Sequence, residues 1–169
     1  MTFTSVAFDP EVHDVDAFGC GEPSLDEWLL THGAAESRRG SARVWVWLDE
    51  TSTDSARVLA YYSLSAGKVA REDLPKALGR GGPVEVPAVL IGRLALDASL
   101  RGQGLGSVLL ADALSRIVDA TRTVGARFVV VDALHEQAAV FYERLGFRRL
   151  PNRLLLVQKV ADIQAAHDL

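Results

Sequence analysis

The chain has 169 residues, of which 49% are hydrophobic and 24% charged, with a formal net charge of −4. This composition is typical of a globular protein and excludes a disordered or fibrous chain. No apolar run approaches the roughly 18 residues of a membrane span, and a single cysteine, Cys20, excludes an internal disulfide and a cysteine-cluster metal site. We therefore expect one domain over residues 1–169, in the cytoplasm and without a metal.

The charges are divided unevenly along the chain. Residues 1–54 carry 11 acidic and 3 basic side chains, a net charge of −8, whereas residues 55–169 carry 11 acidic and 15 basic ones, a net charge of +4. One positive face is therefore compatible with the acidic total. The acidic total itself weakens any argument for nucleic-acid binding.

The first half of the chain predicts a helix among three strands. The strands are Phe3–Phe8, Arg43–Leu48 and Arg57–Val69. The last two are expected to form an antiparallel hairpin. Ser24 and Glu27 have the spacing of a capping box, which starts a helix that ends near Ser37. Residues 70–87 hold too many glycines and prolines for a long regular element. They predict a long loop or a short helix followed by one, either at the rim of a substrate site or as a disordered insertion.

The second half alternates strands and helices. Its pattern predicts the strand Val89–Leu96, a helix from Leu105 closed by Gly125, the strand Phe128–Asp132, the helix His135–Leu145, a strand opening at Phe147 and a last strand Arg153–Val160.

A glycine-rich turn joins the strand Val89–Leu96 to the helix that follows it. Gly102, Gly104 and Gly106 stand at alternate positions, where glycine lets several amide N–H groups converge beside the positive end of a helix. Such a turn is suited to phosphate. No lysine follows it, as a nucleotide P-loop requires, and its third glycine comes one residue too early for a dinucleotide fingerprint. A turn without a ligand is the alternative.

The spacing of Arg101, Gly104 and Gly106 resembles the pyrophosphate loop of the GNAT family of N-acetyltransferases. The order of strands and helices resembles the fold of that family as well. The resemblance implies an α/β (α+β) fold, with a mixed sheet of six to seven strands that is flanked by helices and splayed between strands four and five.

Further segments resemble one branch of the family, the toxins of toxin–antitoxin systems that acetylate aminoacyl-tRNA. These segments are Phe18–Gly21 with Ser24–Leu29, Tyr61–Ser65, Gly92–Asp97, and Val131–Ala133 with Phe141–Phe147. The chain departs from the branch in charge, since such toxins are commonly basic. The resemblance implies an enzyme that acetylates the α-amino group of aminoacyl-tRNA and thereby blocks translation.

The resemblance also implies roles for individual residues, with acetyl-CoA as the co-substrate and no metal. The strand Leu94, Ala95, Leu96 would bind the pantetheine arm through its backbone, and one of its N–H groups would polarise the thioester carbonyl. Tyr142 would be the general acid for the leaving thiolate, unless it only packs its helix against the sheet. The diphosphate would be bound by the loop residues Arg101, Gly102, Gln103, Gly104, Leu105 and Gly106.

No general base is assigned. Asp132, His135 and Glu136 lie at the start of a helix, where acidic side chains also serve as caps. A dedicated base is not required, because an α-amino group with a pKa near 8 is already partly neutral.

The acceptor and the partners follow from the same resemblance, which implies charged tRNA, a ribbon-helix-helix antitoxin and a homodimer. The arginines expected to bind the acceptor are Arg93, Arg148, Arg149 and Arg153. Arg93 stands out, because a charge inside an apolar strand needs a partner or a purpose. Two other functions fit the sequence. One is a metabolic or resistance N-acetyltransferase acting on a small amine or a protein amino group, and the other is a non-catalytic module that binds acyl-CoA.

Overall fold

A computed structural model describes residues 1–151 and 154–168. In this part of the chain the strands form one seven-stranded sheet in the order β1-β2-β3-β4-β5-β7-β6. The strands are β1 (Phe3–Ala7), β2 (Arg43–Asp49), β3 (Ala60–Ala70), β4 (Glu85–Leu96), β5 (Phe128–Asp132), β6 (Arg148–Arg149) and β7 (Leu155–Lys159). The mixed sheet confirms the predicted fold class.

Helices occupy the connections between the strands. They are α1 (Pro23–Thr31), α2 (Gly33–Arg39), α3 (Lys76–Gly79), α4 (Leu105–Thr121), α5 (Glu136–Arg144) and α6 (Val160–His167). Among the residues that the structure describes, no helix is long and apolar enough to span a membrane.

Strand β4 pairs with β5 along only part of its length. The two strands are parallel and pair from Ala88 with Phe128 to Ile91 with Val131. The parallel pairing thus ends at Val131, next to the end of β5 at Asp132, whereas β4 continues to Leu96.

The residues fall into two compact units, each with its own core. The first unit comprises Met1–Ser65 and Arg93–Asp112, and the second comprises Ala66–Gly92 and Ala113–Leu169. The core of the first contains Phe18, Leu29, Val44, Val46, Val58, Tyr61 and Ala95. The core of the second contains Val69, Leu74, Val86, Ala88, Phe128, Val130, Leu150 and Val157.

The predicted capping box is wrong. Helix α1 begins at Pro23, and its N-cap Glu22 makes no side-chain capping bond. Proline suits the first turn of a helix because the N–H that it lacks has no intrahelical partner there. The carboxylate of Asp26 instead accepts from the backbone N–H of Cys20 at 2.9 Å. The predicted single helix is also interrupted at His32, which ends α1 and caps α2.

Several predicted boundaries move as well. The hairpin strand predicted from Arg57 begins at Ala60, and β4 begins at Glu85, so the irregular segment before it is shorter than expected. Helix α4 ends at Thr121, before Gly125. The last strand ends at Lys159 and is followed by α6, a helix that the sequence analysis missed. Its predicted start, Arg153, lies outside the described residues.

Candidate active site

The glycine-rich turn forms the connection from β4 to α4 in the first unit. A short 3-10 turn follows β4, and Gly102 and Gly104 then adopt left-handed backbone angles, with φ of 77° and 72°. Both glycines and Gln103 between them are exposed. Helix α4 starts directly afterwards at Leu105, so the N–H groups of its first turn, which have no intrahelical partner, lie at the end of the turn. Exposed N–H groups at a helix start are suited to bind the diphosphate of a nucleotide.

Asp97, at the end of β4, fixes the backbone on which the turn is built. Its side chain is buried, with 3% of its surface exposed, and accepts hydrogen bonds from the backbone N–H groups of Gly19 and Ser99 at 3.0 and 3.1 Å. The guanidinium of Arg57 donates to it at 3.3 Å. Burial by itself raises the pKa of Asp97, but the Ser99 hydroxyl, which donates to it at 2.6 Å, and the other donors hold that pKa below its usual range.

Arg101 is bound to the protein itself. Its Nη2 donates to the carbonyl oxygen of Cys20 at 2.5 Å. Gly21, next to Cys20, has a φ of 92°, and a Cβ built on it would overlap that same nitrogen. Glycine at this position therefore allows the loop before α1 to approach Arg101 closely.

The thiol of Cys20 is not a nucleophile. Burial, followed by a hydrogen bond from the thiol to the Asp26 carboxylate, raises its pKa to about 11. Because only the thiolate attacks, a thiol with this pKa is almost unreactive near neutral pH.

Asp112 anchors the start of α4 to the sheet. Its Oδ2 accepts from the hydroxyls of Ser5 and Tyr62 at 2.6 and 3.0 Å, and from the indole Nε1 of Trp47 at 3.2 Å. These residues belong to β1, β3 and β2 respectively. The first two turns of α4, which follow the glycine-rich turn, are thus tied to three strands of the same unit.

The expected pantetheine strand lies in the first unit. Ala95 belongs to the core of that unit, whereas Leu94 and Leu96 are half-buried. Adjacent residues of a strand point to opposite faces of the sheet. All three side chains are apolar, so the backbone N–H and C=O groups are the polar groups of this segment.

Arg93 precedes this segment and lies over an aromatic ring. Its Cζ is 4.0 Å from the centroid of the Trp28 ring. Trp28 stacks in turn on Tyr61, with ring centroids 6.1 Å apart and planes 8° from parallel. Burial lowers the pKa of Arg93. The purpose expected for this charge is thus in part a cation–π contact.

Tyr142 lies on α5 in the second unit and is 7% exposed. Its ring makes edge contacts with Phe141 and Phe147, at centroid distances of 5.1 and 5.7 Å. Burial raises the pKa of its phenol to about 12. No group within residues 1–151 and 154–168 forms a hydrogen bond with the Tyr142 hydroxyl. The residue therefore packs its helix and also carries a protonated phenol without a protein partner.

The groups that start α5 act structurally. The Nδ1 of His135 accepts from the backbone N–H of Ala138 at 3.2 Å, which makes His135 the N-cap. Glu136 forms an ion pair with Arg149 at 2.8 Å. Asp132 ends β5 with an exposed side chain.

The predicted acceptor arginines differ in their surroundings. Arg149 pairs with both Glu136 and Glu143, the latter at 2.6 Å. Its charge is therefore compensated within the second unit. Arg148 is exposed beside it, and Arg153 lies outside the described residues. A charge reversal at Arg149 would break two ion pairs and would not be a clean test of acceptor binding.

The roles of Asp97 and Trp28 went unrecognised in the sequence. For Asp97, its position directly after a strand and two residues before Ser99 was the available signal. The pairing of Trp28 with Arg93 depends on contacts between distant segments, which a single sequence does not show. Within the described part of the chain, no group of His, Cys, Asp and Glu side chains is placed to hold a metal ion.

The sheet, the glycine-rich turn and the helix after it define an acyl-CoA-binding N-acetyltransferase. Residues 40–149 match the acetyltransferase (GNAT) domain. A tRNA-acetylating toxin of Mycobacterium tuberculosis (strain ATCC 25618 / H37Rv) is 40% identical over 154 residues, which cover 89% of this chain and 90% of that protein. The chain belongs to the GNAT acetyltransferase family.

Solved structures of related toxins have the same fold. AtaT complexed with acetyl-methionyl-tRNAfMet has a TM-score of 0.89 and 33% identity, covering 98% of this chain and 99% of that one. A tyrosine-to-phenylalanine mutant of AtaT bound to the C-terminus of the antitoxin AtaR and acetyl-CoA has a TM-score of 0.84 and 30% identity, covering 99% of each chain.

Proposed function

We propose that this enzyme transfers the acetyl group of acetyl-CoA to the α-amino group of aminoacyl-tRNA and thereby blocks translation. The observation that carries the proposal is the likeness over nearly the whole chain to a tRNA-acetylating toxin and to AtaT complexed with acetyl-methionyl-tRNA. An acetylated α-amino group has no lone pair available for peptide-bond formation, so the product is inactive in elongation.

The diphosphate of acetyl-CoA binds to the backbone of Gly102–Gly106 and the first turn of α4. The exposed left-handed glycines and the helix start support this placement. The Arg101 guanidinium bonds to Cys20, so its contribution is to position the loop. Leu94–Leu96 binds the pantetheine arm, which is supported by the end of the β4–β5 register at Ile91.

This placement gives the co-substrate a direction. Its diphosphate lies after the carboxyl end of β4, so the arm runs back along β4 and the thioester lies toward Arg93. A strand rises about 3.3 Å per residue, which puts the Cα atoms of Arg93 and Asp97 about 13 Å apart. The acceptor amine is therefore bound at the Arg93 end of the segment.

Tyr142 supplies the proton for the leaving group. The amine nitrogen attacks the thioester carbonyl carbon, an N–H of the β4 segment stabilises the oxyanion, and the C–S bond then breaks. The phenol donates its proton to the departing sulfur. The amine loses a proton to solvent, and the phenolate takes one up from solvent. The raised pKa keeps the phenol protonated between about pH 8, above which the α-amino group is mostly neutral, and about pH 12.

The partners follow the relatives. We propose a ribbon-helix-helix antitoxin, because a structure of AtaT is bound to the C-terminus of the antitoxin AtaR, and we propose a homodimer acting in the cytoplasm. The single-domain organisation over residues 1–169 is proposed with them.

The direct test uses labelled acetyl-CoA. The protein is incubated with total charged tRNA, with deacylated tRNA as the matched control, and in parallel with a panel of small amines and peptides. Label is expected on charged tRNA alone. Label confined to small amines or peptides would disprove the tRNA assignment and favour the second function.

That second function is an N-acetyltransferase for a small amine or a protein amino group. The net charge of −4 favours it, and so does Arg149, whose charge is compensated by two carboxylates.

A further inference from the structure

Trp28, Tyr61 and Arg93 form a contact chain in the first unit. Trp28 is on α1, Tyr61 on β3 and Arg93 on β4. The hydroxyl of Tyr61 donates to the carbonyl oxygen of Leu25 at 2.7 Å, so the tyrosine is fixed at both its ring and its hydroxyl. Tyr61 is fully buried, whereas Trp28 and Arg93 are half-buried. Tyr61, which is fixed and buried, is therefore a rigid support for Trp28, whereas Trp28 and Arg93 reach the surface.

The contact with Trp28 holds the position of the Arg93 guanidinium. A guanidinium over an indole face at 4.0 Å has lost part of its hydration but gains attraction to the ring. Arginine has five N–H donors at the edge of a plane, arranged to match two oxygens of a phosphate or carboxylate. Supporting Arg93 by Trp28 therefore removes much of the rotamer freedom that a free arginine would lose on binding.

These donors have no use within the described structure. Among residues 1–151 and 154–168, the Arg93 guanidinium forms no hydrogen bond and no ion pair. The nearest carboxylate to influence it is that of Glu36, which pairs with Arg39 at 3.7 Å. A half-buried cation on the strand that carries the reacting thioester, with unbonded donors, indicates a ligand with a negative charge.

Two sources of negative charge are present in the proposed reaction, acetyl-CoA and tRNA. The diphosphate of acetyl-CoA is assigned to Gly102–Gly106, at the opposite end of the segment from Arg93. The acceptor enters at the Arg93 end, and the group of aminoacyl-tRNA closest to the amine that carries a charge is the phosphodiester before its terminal adenosine. The geometry therefore favours the acceptor.

We infer that Arg93, held over the ring of Trp28, binds the phosphodiester that precedes the terminal adenosine of the charged tRNA, and that Trp28 is the residue that positions it. The inference rests on the proposed function. It assigns recognition of the 3′ end to one planar cation and its aromatic support rather than to the overall charge of the protein.

The test separates the phosphodiester from the rest of the acceptor. One amino acid that the wild-type enzyme accepts is esterified to three carriers: tRNA, the dinucleotide CpA, which has one phosphodiester, and adenosine, which has none. Steady-state rates are measured for the wild-type enzyme and for Arg93→Gln, Arg93→Lys, Trp28→Leu and Trp28→Phe. Calorimetry gives the acetyl-CoA affinity of each variant, and thermal unfolding reports its fold.

Arg93→Gln is expected to raise KM for the tRNA and CpA esters about tenfold, equivalent to about 1.4 kcal/mol, with little change in kcat. KM for the adenosine ester and the affinity for acetyl-CoA should be unaffected. Arg93→Lys keeps the charge but loses the planar pair of donors, so it should restore only part of the affinity. Trp28→Leu should resemble Arg93→Gln, whereas Trp28→Phe, which retains a ring, should stay near the wild-type value.

Arg127→Lys is the matched control, because Arg127 also lies over an aromatic ring, 5.9 Å from the centroid of Phe128, but in the second unit. It should leave KM for every ester unchanged. An equal loss on the CpA and adenosine esters, or no loss in Arg93→Gln, would overturn the inference while leaving tRNA acetylation intact. A wild-type enzyme that acetylates none of the esters would overturn the proposed function and the inference together.

Discussion

Tyr142 combines two roles that are usually separate. Its ring packs against Phe141 and Phe147, as a core tyrosine does, and its hydroxyl has no hydrogen-bond partner among the described residues. A buried phenol without a partner costs stability. In the proposed mechanism the hydroxyl has a partner during the reaction, the sulfur of the leaving group.

Replacing Tyr142 by Phe should lower kcat about a hundredfold, the effect of one positioned general acid. The packing is kept and an unpartnered hydroxyl is removed, so acetyl-CoA affinity should stay close to the wild-type value and the unfolding temperature should be equal to it or higher. Single-turnover rates with labelled acetyl-CoA measure the effect. Unchanged turnover would return Tyr142 to a purely structural role.

The pH dependence of stability should also report on Tyr142. Burial raises the pKa of its phenol from 10.0 in the unfolded chain to about 12 in the fold. The unfolded chain therefore releases the proton first, and this contribution to stability, fully present below pH 10, is lost as the pH rises toward 12, up to about 2–3 kcal/mol. Urea unfolding between pH 9 and 11 should show a shallower decline for Tyr142→Phe than for the wild-type protein. Parallel curves would contradict the assignment.

At the scale of elements, the glycine-rich turn is open to a direct test. A Cβ at Gly104 would meet no atom within 4 Å, but its φ of 72° disfavours a side chain. Gly104→Val places a side chain where the diphosphate is proposed to approach the backbone, so we expect it to abolish acetyl-CoA binding. Calorimetry checks this.

The control for that experiment is Gly81→Val. Gly81 has a φ of 74° and equally open surroundings, so the two variants share the same backbone strain. If Gly81→Val lost acetyl-CoA affinity to the same extent, strain rather than the ligand would explain the result.

The anchor of α4 predicts a loss of stability. Asp112→Asn leaves one of the donors from Ser5, Trp47 and Tyr62 poorly matched in a partly buried place, which should cost about 1–3 kcal/mol. Asp119→Asn on the same helix removes only an exposed pair with Arg122 and should change stability by less than about 0.5 kcal/mol. Urea denaturation of both variants measures the difference. Equal stabilities would show that the Asp112 network contributes little.

Elements with a strong local signal were predictable, and elements fixed by distant contacts were not. The alternating glycines and the periodic apolar face located the turn and α4, because both signals lie within a short window. The start of α6 at Val160 was not visible, since α6 follows Lys159 of β7 directly, without a glycine or proline between the two elements. The predicted capping box of Ser24 and Glu27 is wrong because α1 begins at Pro23, which places Ser24 inside the helix and not at its N-cap.

The candidate site shows the same division. The residues proposed to bind the cofactor lie on contiguous segments and were predicted from spacing and resemblance. The contact of Arg93 with Trp28 joins residues 65 positions apart, and the pairs of Arg149 with Glu136 and Glu143 join a strand to a helix. A single sequence shows that such charges exist but not which of them are compensated.

At the scale of the whole molecule, the acidic total charge limits how tRNA binding can work. With a net charge of −4, long-range attraction is weak, and contacts within about 8 Å dominate at physiological salt. Binding should therefore depend on a few local phosphate contacts, each of which releases counterions.

KM for charged tRNA should consequently rise with salt, with a slope of about 0.7–0.9 per phosphate contact in a log–log plot. KM for the adenosine ester, which has no phosphate, should be almost independent of salt. Steady-state rates between 50 and 300 mM salt measure both. Equal salt dependence for the two acceptors would show that the tRNA phosphates are not bound.

The loop before α1 and the glycine-rich turn are already bound to each other, through hydrogen bonds of Asp97 and Arg101. The conformational entropy of these segments is therefore lost when the chain folds, and little remains to be lost when the nucleotide arrives. We therefore expect acetyl-CoA to bind without a large rearrangement of these segments. Contacts made during folding would then help to set the acetyl-CoA concentration at which the enzyme acts.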